Sequence, residues 1–183
     1  VVLLDRMISG GINKADAVMV DNEQISRDVT GYLLDMGHER IGLIAGPREV
    51  STAMERLSGY LAAMKSKGMD LDSDLIEYTD FTIESGYRAC KRLIADEPLM
   101  TALFVTNYDT TVGAMMAINE LGISVPRELS VFGFDDMPFA QVMIPHLSTV
   151  AQPLGDIGRT AAAMLLGRMS GEVQGPSEIK VLK

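Results

Sequence analysis

Short apolar runs alternate with helix-period stripes along almost the whole chain, and few folds accept that alternation. The strand candidates are Val1-Leu4, Ala17-Val20, Ile41-Ala45, Leu75-Tyr78, Ala102-Thr106, Ser130-Phe134 and Leu147-Ala151, with Ile179-Leu182 as a further one. Between them run amphipathic stripes: Ile25, Val29, Leu33, Met36; Met54, Leu57, Leu61, Met64; Ile83, Tyr87, Cys90, Ile94; and Leu154, Ile157, Ala161, Met164. Spacings of three and four place each set on one helical face. Strands that are nearly continuous apolar runs need cover on both faces, which helices between parallel strands provide. The pattern predicts an α/β fold built on a doubly wound parallel sheet.

The punctuation agrees. Asp21-Asn22-Glu23-Gln24 and Thr52-Ala53-Met54-Glu55 have the residue types of capping boxes. Gly37, Gly68 and Gly122 each follow the last periodic residue of a helix, where a left-handed residue ends it, and Pro126 blocks continuation after Gly122. No internal repeat or low-complexity stretch interrupts the order.

Composition narrows the class. Of 183 residues, 47% are hydrophobic and 22% charged, the balance of a globular domain that buries its own core. The single cysteine, Cys90, cannot form an internal disulfide, which fits a reducing, cytoplasmic setting. No apolar run reaches the roughly 20 residues that span a bilayer, and Val1-Val2-Leu3-Leu4-Asp5-Arg6 has no features of a secretory leader. A net charge of −9 repels phosphate backbones, so any contact with DNA is expected outside these residues. Two histidines and one cysteine make a metal centre or Cys/His nucleophile an unproductive reading, and Gly42 and Gly46 do not make a dinucleotide fingerprint. We expect no enzyme activity and no cofactor.

Open parallel sheets bind ligands beyond the carboxyl ends of their strands. The polar and aromatic residues just past those ends are therefore the candidates. Thr52 and Arg56 lie one helical turn apart after Ile41-Ala45, and Asp80 and Phe81 follow Leu75-Tyr78. Asn107 follows Ala102-Thr106, Asp135 and Asp136 follow Ser130-Phe134, and Gln152 follows Leu147-Ala151. Carboxylate and guanidinium clasp hydroxyls and an aromatic face covers an apolar sugar face, which suits a small polyhydroxylated molecule. Plainer roles compete: Thr52 and Asn107 as helix caps, Asp80 and Asp136 as turn residues, Phe81 as core, and Arg56 and Asp135 as each other's charge partner.

The segments around these residues resemble the LacI/GalR family of transcriptional regulators. The resemblance is carried by Gly37-His38-Glu39-Arg40-Ile41-Gly42, Ala45-Gly46-Pro47, Glu55-Arg56-Leu57-Ser58-Gly59-Tyr60 and Asp80-Phe81-Thr82-Ile83-Glu84-Ser85-Gly86-Tyr87. It continues through Leu121-Gly122-Ile123-Ser124-Val125-Pro126, Val131-Phe132-Gly133-Phe134-Asp135-Asp136 and Leu147-Ser148-Thr149-Val150-Ala151-Gln152-Pro153, in the family's order and spacing. It implies a two-subdomain effector-binding domain of the type I periplasmic-binding-protein kind, a DNA-binding headpiece outside this chain, a homodimer on operator DNA, and no membrane association. Residues 1–21 would then be late strands of the N-terminal subdomain and the first crossing, 22–147 the C-terminal subdomain, and 148–183 the return and a final crossing. The resemblance puts effector contacts at Thr52, Arg56, Phe81, Asn107, Asp135 and Gln152, with a sugar or sugar phosphate as effector.

Two positions depart from the family pattern. Tyr108 stands where an aspartate is common, leaving Asp109 to take over helix capping, and Val50 puts an apolar side chain where some members make a contact. The latter disfavours a nucleobase- or phosphate-binding reading. His38, just past a helix carboxyl end, reads as structural. The alternative function is a periplasmic sugar-binding protein of a transport system, which has the same fold; a headpiece or a signal peptide upstream of Val1 would discriminate.

Overall fold

The computed structural model describes residues 1–7, 15–69, 72–136 and 138–182. They form two compact units, one of Val1–Asp21 with Gln152–Lys183 and one of Asn22–Ala151.

The larger unit is a doubly wound α/β sheet. Its strands are β3 (Ile41–Ala45), β4 (Ile76–Tyr78), β5 (Ala102–Val105), β6 (Ser130–Phe134) and β7 (Ser148–Val150). They lie in the order β4-β3-β5-β6-β7, all parallel. Helix α1 (Asn22–Asp35) leads into β3, α2 (Ser51–Ser66) links β3 to β4, α3 (Ile83–Asp96) links β4 to β5, and α4 (Tyr108–Glu120) links β5 to β6. A short α5 (Pro138–Val142) precedes β7. The chain steps outward from β3 to β4 and then back past β3 to β5, so the strand order reverses between β3 and β5. Such reversals open a crevice at the carboxyl ends.

Strand periodicity divides the core. On β3, Ile41, Leu43 and Ala45 join Val29 and Leu33 of α1 and Leu57, Tyr60 and Met64 of α2. Ile44 faces the other way, with Ala89, Cys90 and Leu93 of α3 and Ala114, Met115 and Ile118 of α4. Burial pushes the Cys90 thiol up to about 12, so it is an inert apolar filler. Tyr60 is equally buried and spends its hydroxyl on the Ile41 carbonyl at 2.7 Å. Each helix pair approaches at glycines. A Cβ at Gly59 would stand 2.2 Å from the Glu23 carbonyl oxygen, and one at Gly113 would stand 2.0 Å from that of Ile83.

The sequence pattern needs three corrections here. Leu75 closes a short 3₁₀ turn, Ser73–Leu75, instead of opening β4. Helix α2 begins at Ser51, with Val50 in the capping position and no side-chain cap, so Thr52 caps nothing. And β7 pairs with β6, which places Ser148–Val150 in the larger unit rather than with the return segment drawn from Ser148 onward. The glycine stops agree: Gly37, Gly68 and Gly122 have φ of 92°, 72° and 69°.

The smaller unit has the parallel sheet β1 (Val2–Leu4), β2 (Asp16–Val20), β8 (Ile179–Leu182), in the order β1-β2-β8, and α6 (Leu154–Ser170). One ion pair organises its closing segment. Arg168 grips Asp16 through two parallel bonds of 2.9 and 2.8 Å and also donates to the carbonyls of Gly175 and Pro176. The Glu178 N–H donates to the same carboxylate at 2.8 Å.

Three substitutions probe this packing. Gly59→Val should cost about 1–3 kcal/mol through overpacking of α1 on α2. Gly31→Ala, where an added Cβ meets nothing within 4 Å, should raise stability by about 0.5–1 kcal/mol in denaturant melts. The Arg168 bonds, with that from Glu178, hold the Asp16 carboxyl at about 2, below its ordinary 3.8. A depressed carboxylate adds stability that is present above the ordinary value and lost as pH falls toward the depressed one. Asp16→Asn should therefore lower the melting temperature at neutral pH and lessen the further loss between about pH 4 and about pH 2.

Candidate functional site

Arg56 is the centre of the carboxyl edge. It lies on the second turn of α2 and is 4% exposed. Its Nη1 donates to the carbonyl of Thr106 at 2.7 Å, just past β5. Its Nε donates to Asn22 Oδ1 at 2.8 Å, and its guanidinium carbon stands 3.6 Å from the centroid of the Phe134 ring at the end of β6. The side chain thus reaches from α2 to the ends of β5 and β6. Cation–π contact and two directed hydrogen bonds are what a charge withdrawn from water requires. Thr52, one turn earlier on the same helical face, is 3% exposed.

The strand ends beside Arg56 are fixed by threonines. Thr79 Oγ1 donates to the Ala45 carbonyl at 2.7 Å, and Thr106 Oγ1 to the Ile44 carbonyl at 2.9 Å. The N–H groups of the same threonines donate to the same carbonyls at 3.0 and 3.1 Å, which extends the ladder one residue past β4 and β5.

Two of those residues have a backbone that side-chain-bearing residues rarely adopt. Phe81 has φ 66° and Asp135 has φ 71°. Each such conformation costs about 1–3 kcal/mol and persists only where its surroundings impose it, most often at functional sites. Gly46 accommodates Phe81, because a Cβ there would meet the ring at 2.1 Å. Phe81 is therefore a half-buried ring laid over the end of β3, not a core residue.

Of the sequence candidates, Thr52, Arg56, Phe81, Asn107 and Asp135 all lie on this edge of the larger unit. Gln152 opens the second segment of the smaller unit and is half-buried. Asn107 also caps α4: its Oδ1 accepts from the Thr110 N–H at 3.3 Å, so Asp109 does not take that role. Asp80 is an exposed turn residue. The hydroxyls of Ser85 and Thr82, with the Thr82 N–H, hold its carboxyl at about 2. His38 bonds Thr101 Oγ1 through Nδ1 at 3.0 Å, the structural role read from sequence. Asn22, Thr106 and Phe134 around Arg56 were not singled out by sequence.

Among the described residues, no group of three or more His, Cys, Asp or Glu could hold a metal ion, and no helix is long and apolar enough to cross a membrane. A separate hollow of about 270 Å³ lies at the amino ends of β6 and β7, lined in part by Tyr32, His38, Phe132 and His146.

Arg56→Met should leave the Thr106 carbonyl and Asn22 Oδ1 without their donor. Each buried acceptor so stranded costs about 1–3 kcal/mol, so the variant should unfold at markedly lower denaturant than the parent in an equilibrium melt.

Comparison with known proteins places this edge in context. Residues 30–183 match the periplasmic binding protein-like domain family. The HTH-type transcriptional repressor CytR of Escherichia coli K12 is 38% identical over 155 residues, covering 85% of this chain and 46% of that protein. The repressor PurR of Escherichia fergusonii is 37% identical over 150 residues, covering 82% and 44%. The solved complex of the transcriptional regulator CelR with cellobiose superposes with a TM-score of 0.91 at 32% identity, over 99% of this chain and 55% of that one. The chain thus spans about half the length of the curated relatives it matches. With the doubly wound sheet and its polar carboxyl edge, these matches establish that the chain belongs to the periplasmic binding protein-like domain family, with LacI-type transcriptional regulators as its homologues and structural neighbours.

Proposed function

We propose that this chain is the sugar-sensing domain of a LacI-type transcriptional repressor acting in the cytoplasm, and that its effector is a sugar or sugar phosphate held at the carboxyl edge of the five-stranded sheet. The observation that carries the reading is the left-handed backbone of Phe81 and Asp135, which follow β4 and β6 on the edge that the buried Arg56 also reaches. Backbone strain at two strand ends on one edge has no purpose in the core. It serves to hold a carboxylate and an aromatic ring at fixed places around a ligand.

In this reading Asp135 accepts hydrogen bonds from sugar hydroxyls and Arg56 donates to them. Phe81 covers an apolar sugar face, and Thr52 and Asn107 supply shorter polar contacts. Residues 1–21 with 152–183 then correspond to the N-terminal subdomain and 22–151 to the C-terminal one. Sugar held at this edge favours one of two states of the full-length protein, and two headpieces on a homodimer convert that shift into a change of operator affinity. The cellobiose complex of the structural neighbour CelR supports a sugar as effector, and the repressor names of CytR and PurR support operator DNA as partner. The chemistry of the edge is binding, not bond-making, and its relatives are regulators rather than enzymes.

Calorimetric titration of the full-length protein with a panel of mono- and disaccharides checks this. The tightest sugar should bind Asp135→Ala at least about tenfold more weakly, a loss of about 1.4 kcal/mol. An unchanged affinity would remove Asp135 from the site, and no heat with any sugar would remove the sugar.

A further inference from the structure

We infer that Asn22, with Glu55 behind it, is the positioning residue of the Arg56 guanidinium. This rests on the proposal that Arg56 contacts the effector, and deepens it by naming what sets the direction of that contact.

Asn22 is 1% exposed, the first residue of α1, and the residue at which the chain enters the larger unit. Its two amide atoms are spent in opposite senses. Oδ1 accepts from Arg56 Nε at 2.8 Å, and Nδ2 donates to Glu55 Oε2 at 3.0 Å. The amide has one orientation that satisfies both neighbours. Reversed, its NH₂ would face the guanidinium donor and its oxygen would face a carboxylate. Glu55 therefore fixes the amide, and the amide fixes Nε.

A guanidinium is planar, so two bonds define its plane. The Thr106 carbonyl takes Nη1 and Asn22 takes Nε. With both made, the plane lies over the Phe134 ring and its rotation about the side-chain axis is blocked. Glu55 and Arg56 are sequence neighbours on α2, and neighbours on a helix point about 100° apart. Asn22 is thus the bridge that lets the carboxylate act on the guanidinium. The bridge depends on the close approach of α1 to α2, which is set by Gly59 and by the Ser26 hydroxyl donating to the Arg56 carbonyl at 2.5 Å. A ligand then meets a donor already aimed and does not bear the entropy of ordering it.

The polarity of the bridge gives a test that general stability does not imitate. In the full-length protein, Asn22→Ala should weaken the tightest sugar by about tenfold, and Asn22→Asp similarly, because its second oxygen would face the Glu55 carboxylate. The double variant Asn22→Asp with Glu55→Gln reverses the second bond. The side-chain amide introduced on α2 would donate to the new carboxylate on α1 while that carboxylate accepts from Arg56. Its affinity should return to within about threefold of the parent. Calorimetric Kd values and melting temperatures are measured side by side.

A folded Asn22→Ala with unchanged Kd, whatever its melting temperature, would overturn the positioning role. So would a double variant no better than Asn22→Asp alone, and that comparison decides the matter if Asn22→Ala does not fold. Arg56→Lys serves as the reference: an unchanged Kd there would overturn the effector contact of Arg56 itself, whereas a raised Kd there with an unchanged Asn22→Ala would overturn only the role of Asn22.

Discussion

Arg56 carries a full positive charge into a place 4% exposed to water, and the carboxyl edge is arranged around that fact. A charge so placed is tolerable only with directed partners. The Thr106 carbonyl, the Asn22 amide and the Phe134 ring supply them from three separate elements. Each partner depends on another feature. Thr106 is held by the Ile44 carbonyl, Phe134 by its parallel pairing with Val150 of β7, and Asn22 by the glycine that lets α1 lie against α2. Loss of any one would be felt at the guanidinium.

What could be read from sequence follows the range of the interactions involved. Strand and helix periods are local, so the alternation of elements and the doubly wound class were legible in runs such as Ile41-Ala45 and in the stripe Ile25, Val29, Leu33. The strand-end rule was enough to collect Thr52, Arg56, Phe81, Asn107 and Asp135 on one edge. Capping was less legible. Thr52 has the right type and spacing for a cap, but α2 starts one residue earlier, and Thr52 lies buried on the face of Arg56. The left-handed backbone of Phe81 was hidden because phenylalanine does not announce it, unlike Gly37 or Gly122, and that of Asp135 because aspartate adopts it only at some positions. Asn22 was hidden for a different reason. It is 34 positions from Arg56, and no spacing rule links the start of one helix to the second turn of the next.

The separation of core from strand ends lets one fold carry different side chains at its carboxyl edge. The two core faces of the sheet are filled by ordinary aliphatic packing, down to an inert buried cysteine. Polar and strained residues gather instead past the strand ends, where loops can vary without disturbing the core. Gly46 is an economical example: the absence of one Cβ makes room for the Phe81 ring against β3.

The most direct test is a crystal structure of the full-length protein grown with its tightest-binding sugar. The sugar should lie past the carboxyl ends of β3, β5 and β6, with hydroxyls within hydrogen-bond distance of Arg56 and Asp135 and one face against Phe81. A sugar found instead in the hollow beside His38 and His146, or anywhere out of reach of Arg56, would contradict the assignment of this edge as the effector site.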